Sequence, residues 1–403
     1  MSPVSVRLLD PTTPPHVMTL VAQASIAALA MNVFLPSLPT MTAYFGTDYA
    51  VMQLSVSLYL LVNAVLQLFI GAISDRFGRR PVMIAALIGF ILATIGTLLA
   101  TSATMFLIFR MLQAVVVTAI VVSRAAIRDV LDEGPAASRI GYVTMGMAIV
   151  PMIAPAIGGA LDEAFGWRGS FVLMLIAGLG VLALTWRDMG ETKLDRGGSM
   201  SGVLRELPEL MRARRFWGYC GTATLASGAF FAYLGGAPFV GATVFGLGPA
   251  MLGLFFGAPA LGYATGNFLS GRFAARVGIN AMILLGALVA FGGMLLLLAL
   301  SLALPQSPFI FFGCFVFIGL GNGMLLPSAT SGMMSVRPHL AGTASGIGGA
   351  IMIGGGAALS AVAGAILTPE TGALPLIWLM VATTGLGIGP HLYVLYREKQ
   401  ISA

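Results

Sequence analysis

Arg110 and Arg124 are the two basic side chains that lie inside hydrophobic stretches of this sequence. Between them, Gln113, Val117 and Ile120 follow at steps of three and four residues, so a helix would carry all five on one stripe. A charged group surrounded by apolar sequence is costly to bury, which indicates a functional role. We expect Arg110, with Gln113 beside it, to face a central cavity and bind a ligand. Arg124 stands near a helix end, where snorkelling to the surface is the competing interpretation.

The acidic residues show the opposite pattern, because all 15 Asp and Glu lie outside the middle of the hydrophobic stretches. A buried carboxylate can exchange a proton for a cation, since burial favours its neutral form and a bound cation its ionised form. An amide such as Asn32 can hydrogen-bond a ligand but cannot titrate. We therefore expect neutral or anionic ligands rather than permanent cations. Proton coupling would have to use Asp75, Asp129, a histidine or a residue near a helix end.

The composition assigns the chain to the membrane. Its 403 residues are 58% hydrophobic and 9% charged, with a mean hydropathy of +0.95, whereas a soluble domain carries about 25% charged residues. Hydrophobic stretches of about 20 residues, enough to cross a bilayer as helix, predict an all-α membrane protein with twelve transmembrane helices. They lie at 17–38, 50–73, 82–101, 104–127, 140–162, 169–187, 216–240, 249–271, 280–303, 308–330, 341–366 and 372–395.

A polar segment at 188–215 divides the predicted helices into two sets of six. We therefore expect an N-terminal six-helix half at 1–187, a cytoplasmic linker at 188–215 and a C-terminal six-helix half at 216–403. Apart from Arg110, Arg124 and Arg168, the Lys and Arg residues fall on one predicted side, so the positive-inside rule predicts that both termini are cytoplasmic. The net charge of +6 therefore reflects the membrane topology, and we expect no nucleic-acid partner.

The turn between the second and third helices carries the most distinctive motif. Residues 71–83 read GAISDRFGRRPVM and resemble the GxxxDRxGRR signature of the major facilitator superfamily. The matching positions are Gly71, Asp75, Arg76, Gly78, Arg79 and Arg80. With the helix count, the resemblance covers the whole chain. It implies two pseudo-symmetric halves and a conformational latch, in which Asp75 faces the N-terminal end of helix 11 near 341–343 and the arginines pair with nearby acids and carbonyls.

The C-terminal half repeats this turn weakly, with Gly271, Arg272, Arg276 and Gly278 between the eighth and ninth helices. The second copy lacks the acid. A repeat of six-helix halves implies a substrate path between them, near the middle of the membrane.

Other stretches resemble the bicyclomycin/chloramphenicol-resistance (Bcr/CflA) group of drug:proton antiporters. These are NVFLPSLP at 32–39, SRAAIRD at 123–129, and Arg110 with Gln113 in an RxxQG-like motif that has Ala114 for the glycine. The antiporter motif Gx8Gx3GPx2GG is matched only in part, since Val150 and Ala154 replace glycines. Its matching positions are Gly141, Pro155, Gly158 and Gly159. Relatives in this group usually carry an aspartate where this chain has Asn32.

Polar or aromatic residues at mid-helix complete the predicted substrate-binding site. Its members are Asn32, Tyr59, Asn63, Arg110, Gln113, Phe230, Tyr233 and Asn322. Tyr59, Asn63 and Gln67 stand at i, i+4 and i+8 on one face of the second helix. That stripe faces either the cavity or a neighbouring helix that it hydrogen-bonds.

The resulting hypothesis is a secondary active efflux transporter of a bacterial inner membrane. It would export small apolar toxic compounds or drugs by alternating access as a monomer, without metal or cofactor, and the resemblance implies protons as the coupling ion. The alternative is a uniporter or exchanger of a specific metabolite or organic anion bound by Arg110. An enzyme is disfavoured because no catalytic triad, metal-ligand cluster or nucleotide loop is found. The repeated halves disfavour a channel or receptor.

Overall fold

A computed structural model of the chain describes residues 7–131, 133–193, 208–337 and 340–402. Within these ranges, eleven helices are long and apolar enough to cross a membrane. The remaining predicted crossing is a broken helix, α8, formed by Pro249–Phe255 and Ala258–Val277. The others are α1 Val17–Phe45, α2 Tyr49–Phe77, α3 Arg79–Leu98, α4 Ala103–Val130, α5 Glu133–Phe165, α6 Arg168–Asp188, α7 Arg214–Val244, α9 Ile279–Ala303, α10 Pro308–Ser335, α11 Ala341–Ile366 and α12 Leu374–Gln400.

Prolines break α1 before its end. The regular helix Val17–Asn32 gives way to a 3-10 turn at Leu35–Ser37 and a last helical piece at Leu38–Phe45. Pro36 and Pro39 cannot donate backbone hydrogen bonds, so the α-helical ladder cannot run through them. Gly46, at φ 59°, ends the helix in the left-handed conformation. The break places Ser37 and Thr40 where α5 passes.

The turns after α2 and after α8 have the same backbone. Gly78 has φ 98° and ψ 153°, and Gly278 has φ 89° and ψ 153°. Each N–H is donated to the carbonyl four residues earlier, at Ser74 and Ala274 respectively. Only glycine adopts these angles readily. The repeated turn supports the prediction of two similar halves.

The chain termini lie at the same end of the bundle as these turns. Buried Asp188, at the end of α6, accepts hydrogen bonds from the backbone N–H groups of Leu9 (2.6 Å) and His16 (2.9 Å). Arg215, at the start of α7, pairs with Glu398 near the end of α12. We name this the basic end and the other the opposite end. Residues 194–207 of the predicted linker lie outside the described residues, so the domain boundaries stay a prediction.

Candidate functional site

Arg110 lies inside the N-terminal half, where it is 1% exposed. Its guanidinium donates to Ala30 O (2.8 Å), to Gln113 Oε1 (2.8 Å) and to Ser55 O (3.3 Å). It also lies between two rings, with its centre 4.3 Å from the Phe34 centroid and 4.0 Å from that of Tyr59. The group therefore joins α1, α2 and α4, and the structure surrounds it with protein where we expected an open cavity.

Gln113 and Tyr59 belong to this buried cluster. The Gln113 amide donates to Thr94 Oγ1 of α3 at 2.8 Å and is fully buried. Asn32, close by in α1, donates from Nδ2 to Ala28 O in its own helix at 2.8 Å. Of the predicted N-terminal site, the structure thus brings Tyr59 and Gln113 together around the guanidinium of Arg110, while the amide nitrogen of Asn32 bonds within α1.

The polar stripe of α2 divides between two environments. Tyr59 packs on Arg110, whereas Asn63 accepts a 2.7 Å hydrogen bond from Gln67. Gln67 Oε1 would lie 3.9 Å from a Cβ at Gly349 of α11. The Asn63–Gln67 pair therefore lies on the side of α2 that faces α11 of the other half.

Two predicted residues of the C-terminal half, Phe230 and Tyr233, lie in an aromatic cluster of α7, α8 and α10. Tyr233 is fully buried, with its ring centroid 4.0 Å from that of Phe315 and 5.0 Å from that of Phe256. Phe230 lies 6.3 Å from Tyr233. The hydroxyl of Tyr233 and the Oδ1 of Asn322 are buried polar atoms for which the described residues supply no hydrogen-bond partner. Such groups are suited to bind a polar ligand atom when the helices move.

The charges of the motif after α2 form a network at the basic end. Arg79 is buried and its guanidinium reaches Asp75 Oδ1 (2.6 Å), Asp129 Oδ2 (2.9 Å) and the Ser74 hydroxyl. Arg80 donates to Trp186 O at 3.0 Å, whereas Arg76 is exposed against the ring of Phe77. The three arginines therefore have different roles, and Arg79 is the one that joins α2, α3 and α4.

Glu191 is a member of this network that the sequence did not reveal. Its carboxylate accepts hydrogen bonds from the backbone N–H groups of Arg79 (2.8 Å) and Arg80 (3.3 Å), at the start of α3. A Cβ at Gly78 would lie 2.4 Å from Glu191 Oε2, which adds a second requirement for glycine there. Gly71, in contrast, has open space around a built Cβ. A lone Glu after α6 carries no spacing signal that points to this contact.

At the opposite end, α5 of one half and α8 of the other meet backbone to backbone. A Cβ at Gly159 would lie 2.1 Å from Pro249 O, and a Cβ at Gly253 would lie 2.2 Å from Pro155 O. Glu163 Oε1 also accepts the N–H of Ala250 at 3.1 Å. Gly158 faces α1, where its Cβ would lie 1.6 Å from Val33 O. Two glycines of the antiporter-like motif are thus explained by close helix contact.

Side-chain hydrogen bonds close the same end between other helices of the two halves. Gln53 of α2 donates to Ser360 of α11, at 2.7 Å to the carbonyl and 2.8 Å to the hydroxyl. Tyr49 donates to Gly235 O of α7 at 2.7 Å. Both side chains are buried. They were missed because single polar residues at a helix start give no pattern in the sequence.

The basic end of α11 is open by comparison. Built Cβ atoms at Gly342 and Gly346 find nothing within 4 Å, and at Gly354 the nearest atom is the Ala64 methyl at 3.9 Å. Gly355 and Gly356 pack instead on Thr224 and Phe231 of α7, at 2.3 and 2.1 Å. The glycines of α11 therefore serve packing on one face and border open space on the other.

The glycines of α5 give a direct test of this closure. Gly159→Ala should lower transport about tenfold or more. The added methyl group would overpack the contact with Pro249, which costs about 1–3 kcal/mol and disfavours the closed opposite end. Gly141→Ala is the matched control, since a Cβ there has open space. The two variants are compared by their initial rates of transport in vesicles, normalised to the amount of protein. Equal rates in the two variants would contradict the assignment.

Comparison with known proteins gives a consistent result. The sequence matches the Major Facilitator Superfamily over residues 20–361. It is 29% identical over 372 residues to a chloramphenicol resistance protein of Pseudomonas aeruginosa, covering 90% of this chain and 87% of the relative. It is 30% identical over 371 residues to multidrug resistance protein D of Escherichia coli (strain K12), covering 88% and 89%. A bicyclomycin resistance protein homolog of Haemophilus influenzae is 24% identical over 390 residues, covering 95% and 96%.

Solved structures share the fold. A bacterial homolog of the human lysosomal transporter Spinster, in an inward-facing and occupied conformation, superposes with a TM-score of 0.72 at 17% identity, covering 95% of this chain and 96% of that one. The human organic anion transporter MFSD10 (TETRAN) gives 0.69 at 17% identity, covering 94% and 98%. At such identity the likeness concerns the fold alone. The predicted fold class and the predicted resemblance to the drug-resistance group are confirmed.

Proposed function

Because the chain belongs to the Major Facilitator Superfamily, it is a secondary transporter and not an enzyme, and we propose that it exports small apolar toxic compounds by alternating access. The relatives named for resistance to chloramphenicol, bicyclomycin and multiple drugs support an export role. We further propose that the protein works as a monomer in a bacterial inner membrane and couples export to the inward movement of protons.

The observation that carries the proposal is the unequal contact between the halves at their two ends. The opposite end is closed by Gly159 against Pro249 and by Gln53 against Ser360, while the basic end of α11 borders open space. A carrier that exposes its central path to one side at a time requires this arrangement. With the basic end proposed as cytoplasmic by the positive-inside rule, the conformation is inward-facing.

The charges within the membrane support an apolar or neutral substrate. The 15 acidic residues lie outside the middle of the helices, so a permanent cation would find no carboxylate at mid-depth. Arg110 is already surrounded by three protein acceptors and two rings, which weighs against the alternative of an organic anion held by that residue. We propose that Arg110, Gln113 and Tyr59 position α1, α2 and α4.

Direct substrate contacts are proposed for residues nearer the space between the halves. Asn63 with Gln67, Asn32, Phe230, Tyr233 and Asn322 are the candidates. The buried hydroxyl of Tyr233 and the Oδ1 of Asn322 support this choice, because both have spare hydrogen-bonding capacity within the described residues. The aromatic rings around Tyr233 offer the apolar surface that a hydrophobic compound needs.

The proposal is tested by substrate-driven proton movement in proteoliposomes, with a panel of neutral, anionic and cationic compounds. We expect neutral apolar compounds to drive proton flux in the opposite direction, and permanent cations to drive little. Transport that is strongest for anions, without proton movement, would overturn the proposal in favour of an anion exchanger. Empty liposomes and protein carrying Gly159→Ala serve as controls for leak and for alternating access.

A further inference from the structure

Asp162 is a buried carboxylate one turn before the end of α5, at the opposite end of the bundle. The residue is 5% exposed. Its Oδ2 accepts a 2.6 Å hydrogen bond from the Thr40 hydroxyl of α1. Its Oδ1 is buried without a hydrogen-bond partner among the described residues. The Ser37 hydroxyl is its second polar neighbour, although not in good hydrogen-bond geometry.

Four other acids in the described ranges have stronger partners. Asp75 and Asp129 pair with Arg79. Asp188 accepts two backbone N–H groups, and Glu398 pairs with Arg215. These interactions stabilise the ionised form of each carboxylate.

No such cation neutralises Asp162 in the described structure. The charge that acts on it is the neighbouring Glu163 carboxylate, which has the same sign. Arg168, at the start of α6, is bonded to Leu98 O and to the Tyr44 hydroxyl. The segments packed nearby from α1 (33–47) and from α7 and α8 (236–271) contain no charged residue. These surroundings favour the neutral acid over the carboxylate.

The turn beside Asp162 takes part in the contact between the two halves. The Leu35–Ser37 turn, which bears one of its neighbours, contacts α5 and also α7 and α8 of the other half. Glu163, the next residue, holds the N–H of Ala250 in α8. When the opposite end opens, α8 must leave this turn, and water reaches Asp162.

We propose that Asp162 is a proton-binding site whose occupancy is linked to closure of the opposite end. Closure buries the group, so the carboxylate takes one proton from water and becomes the neutral acid. Opening exposes it, and the proton returns to water as the carboxylate forms. Because the closed state binds the proton more tightly, acid shifts the population toward closure and alkali shifts it toward opening. The inference rests on the proposed transport function and gives it a proton-sensitive step without an acid at mid-membrane.

Spin-label distances across the opposite end test the linkage. Phe165→Cys on α5 and Phe309→Cys on α10 place labels at residues that are 76% and 75% exposed, one in each half. Cys220 and Cys314, both buried, are first replaced with serine. We expect short distances in acid and a second, longer population that grows as the pH rises.

Two variants at neighbouring residues, each of which removes one negative charge, distinguish a proton-binding site from a purely structural contact. Asp162→Asn keeps an oxygen for the Thr40 hydroxyl but cannot ionise, so we expect it to lose the longer population at every pH. Glu163→Gln changes the same charge at an exposed residue and should keep a pH dependence, displaced toward lower pH because the like charge beside Asp162 is gone. A titration in Asp162→Asn like that of the parent chain, or no titration in the parent, would overturn the proposal.

Transport assays keep this result separate from the proposed function. A parent chain that exports apolar compounds but shows no pH-dependent distances refutes the proton site and leaves the exporter. A parent chain that titrates as expected but moves none of the compounds refutes the proposed export. Asp162→Asn, held closed at the opposite end, should also lose transport at every pH, whereas Glu163→Gln should retain transport.

Discussion

Replacement of Arg110 with alanine should destabilise the protein by roughly 3 kcal/mol or more, because each buried acceptor left unpaired costs about 1–3 kcal/mol. Ala30 O and Gln113 Oε1 would lose their guanidinium donor, whereas Ser55 O, inside α2, keeps its backbone hydrogen bond. The lost guanidinium would also leave a cavity between the rings of Phe34 and Tyr59, which adds to the cost. We expect a lower melting temperature in detergent, together with loss of substrate binding.

The same helix provides the matched control for Arg110. Arg124 is half-buried, and its Nε has no hydrogen-bond partner among the described residues, so Arg124→Ala should change the melting temperature little. Arg110→Lys should behave like the alanine variant, since one ammonium cannot reach three acceptors and stack between two rings. A variant Arg110→Ala that melts like the parent but no longer binds substrate would instead make Arg110 a direct substrate contact.

The sequence alone was sufficient to predict the helices and the turns between them. Lipid-length apolar runs predict all twelve crossings, although α8 is broken at Phe256 and Gly257. The break precedes Pro259, which has no N–H to donate to the carbonyl of Phe255, and hydropathy does not report such a break. The Gly78 turn was also predictable, because few charges between apolar runs require a short turn and only glycine fits its φ.

The candidate site was less predictable, because its contacts join residues distant in the chain. Gln53 bonds Ser360 across a separation of 307 residues, and neither residue belongs to a periodic pattern. Arg110 shows the other limit. Spacing predicts which face of α4 it occupies, but whether that face meets a cavity or three backbone and side-chain acceptors depends on how α1 and α2 pack. The position of Arg110 in apolar sequence thus indicated that the residue is important. It did not decide whether Arg110 binds a ligand or positions the helices.

Asp75→Asn should lower transport about tenfold or more while leaving protein level and melting temperature near those of the parent. In the structure, Asp75 is 32% exposed in its side chain and lies 2.6 Å from Arg79. An amide oxygen can keep that contact, and exposed ion pairs contribute only about 0–1 kcal/mol. The cost arises when the basic end closes, because the carboxylate charge would then meet the N-terminus of α11, an interaction worth up to about 2 kcal/mol when partly buried.

A second acid of the same network makes the control for Asp75. Asp129→Asn removes the charge that pairs with Arg79 Nε at 2.9 Å, inside a cluster where Arg79 is only 6% exposed, so it should lower the melting temperature as well as transport. Labelling of Gly342→Cys, at the open end of α11, reports the state of the basic end. We expect Asp75→Asn to raise that labelling, since the outward-facing state loses its latch. Parent-like transport and labelling in Asp75→Asn would show that Asp75 acts only through Arg79, and the latch would then have to be sought at Glu191 and Asp129.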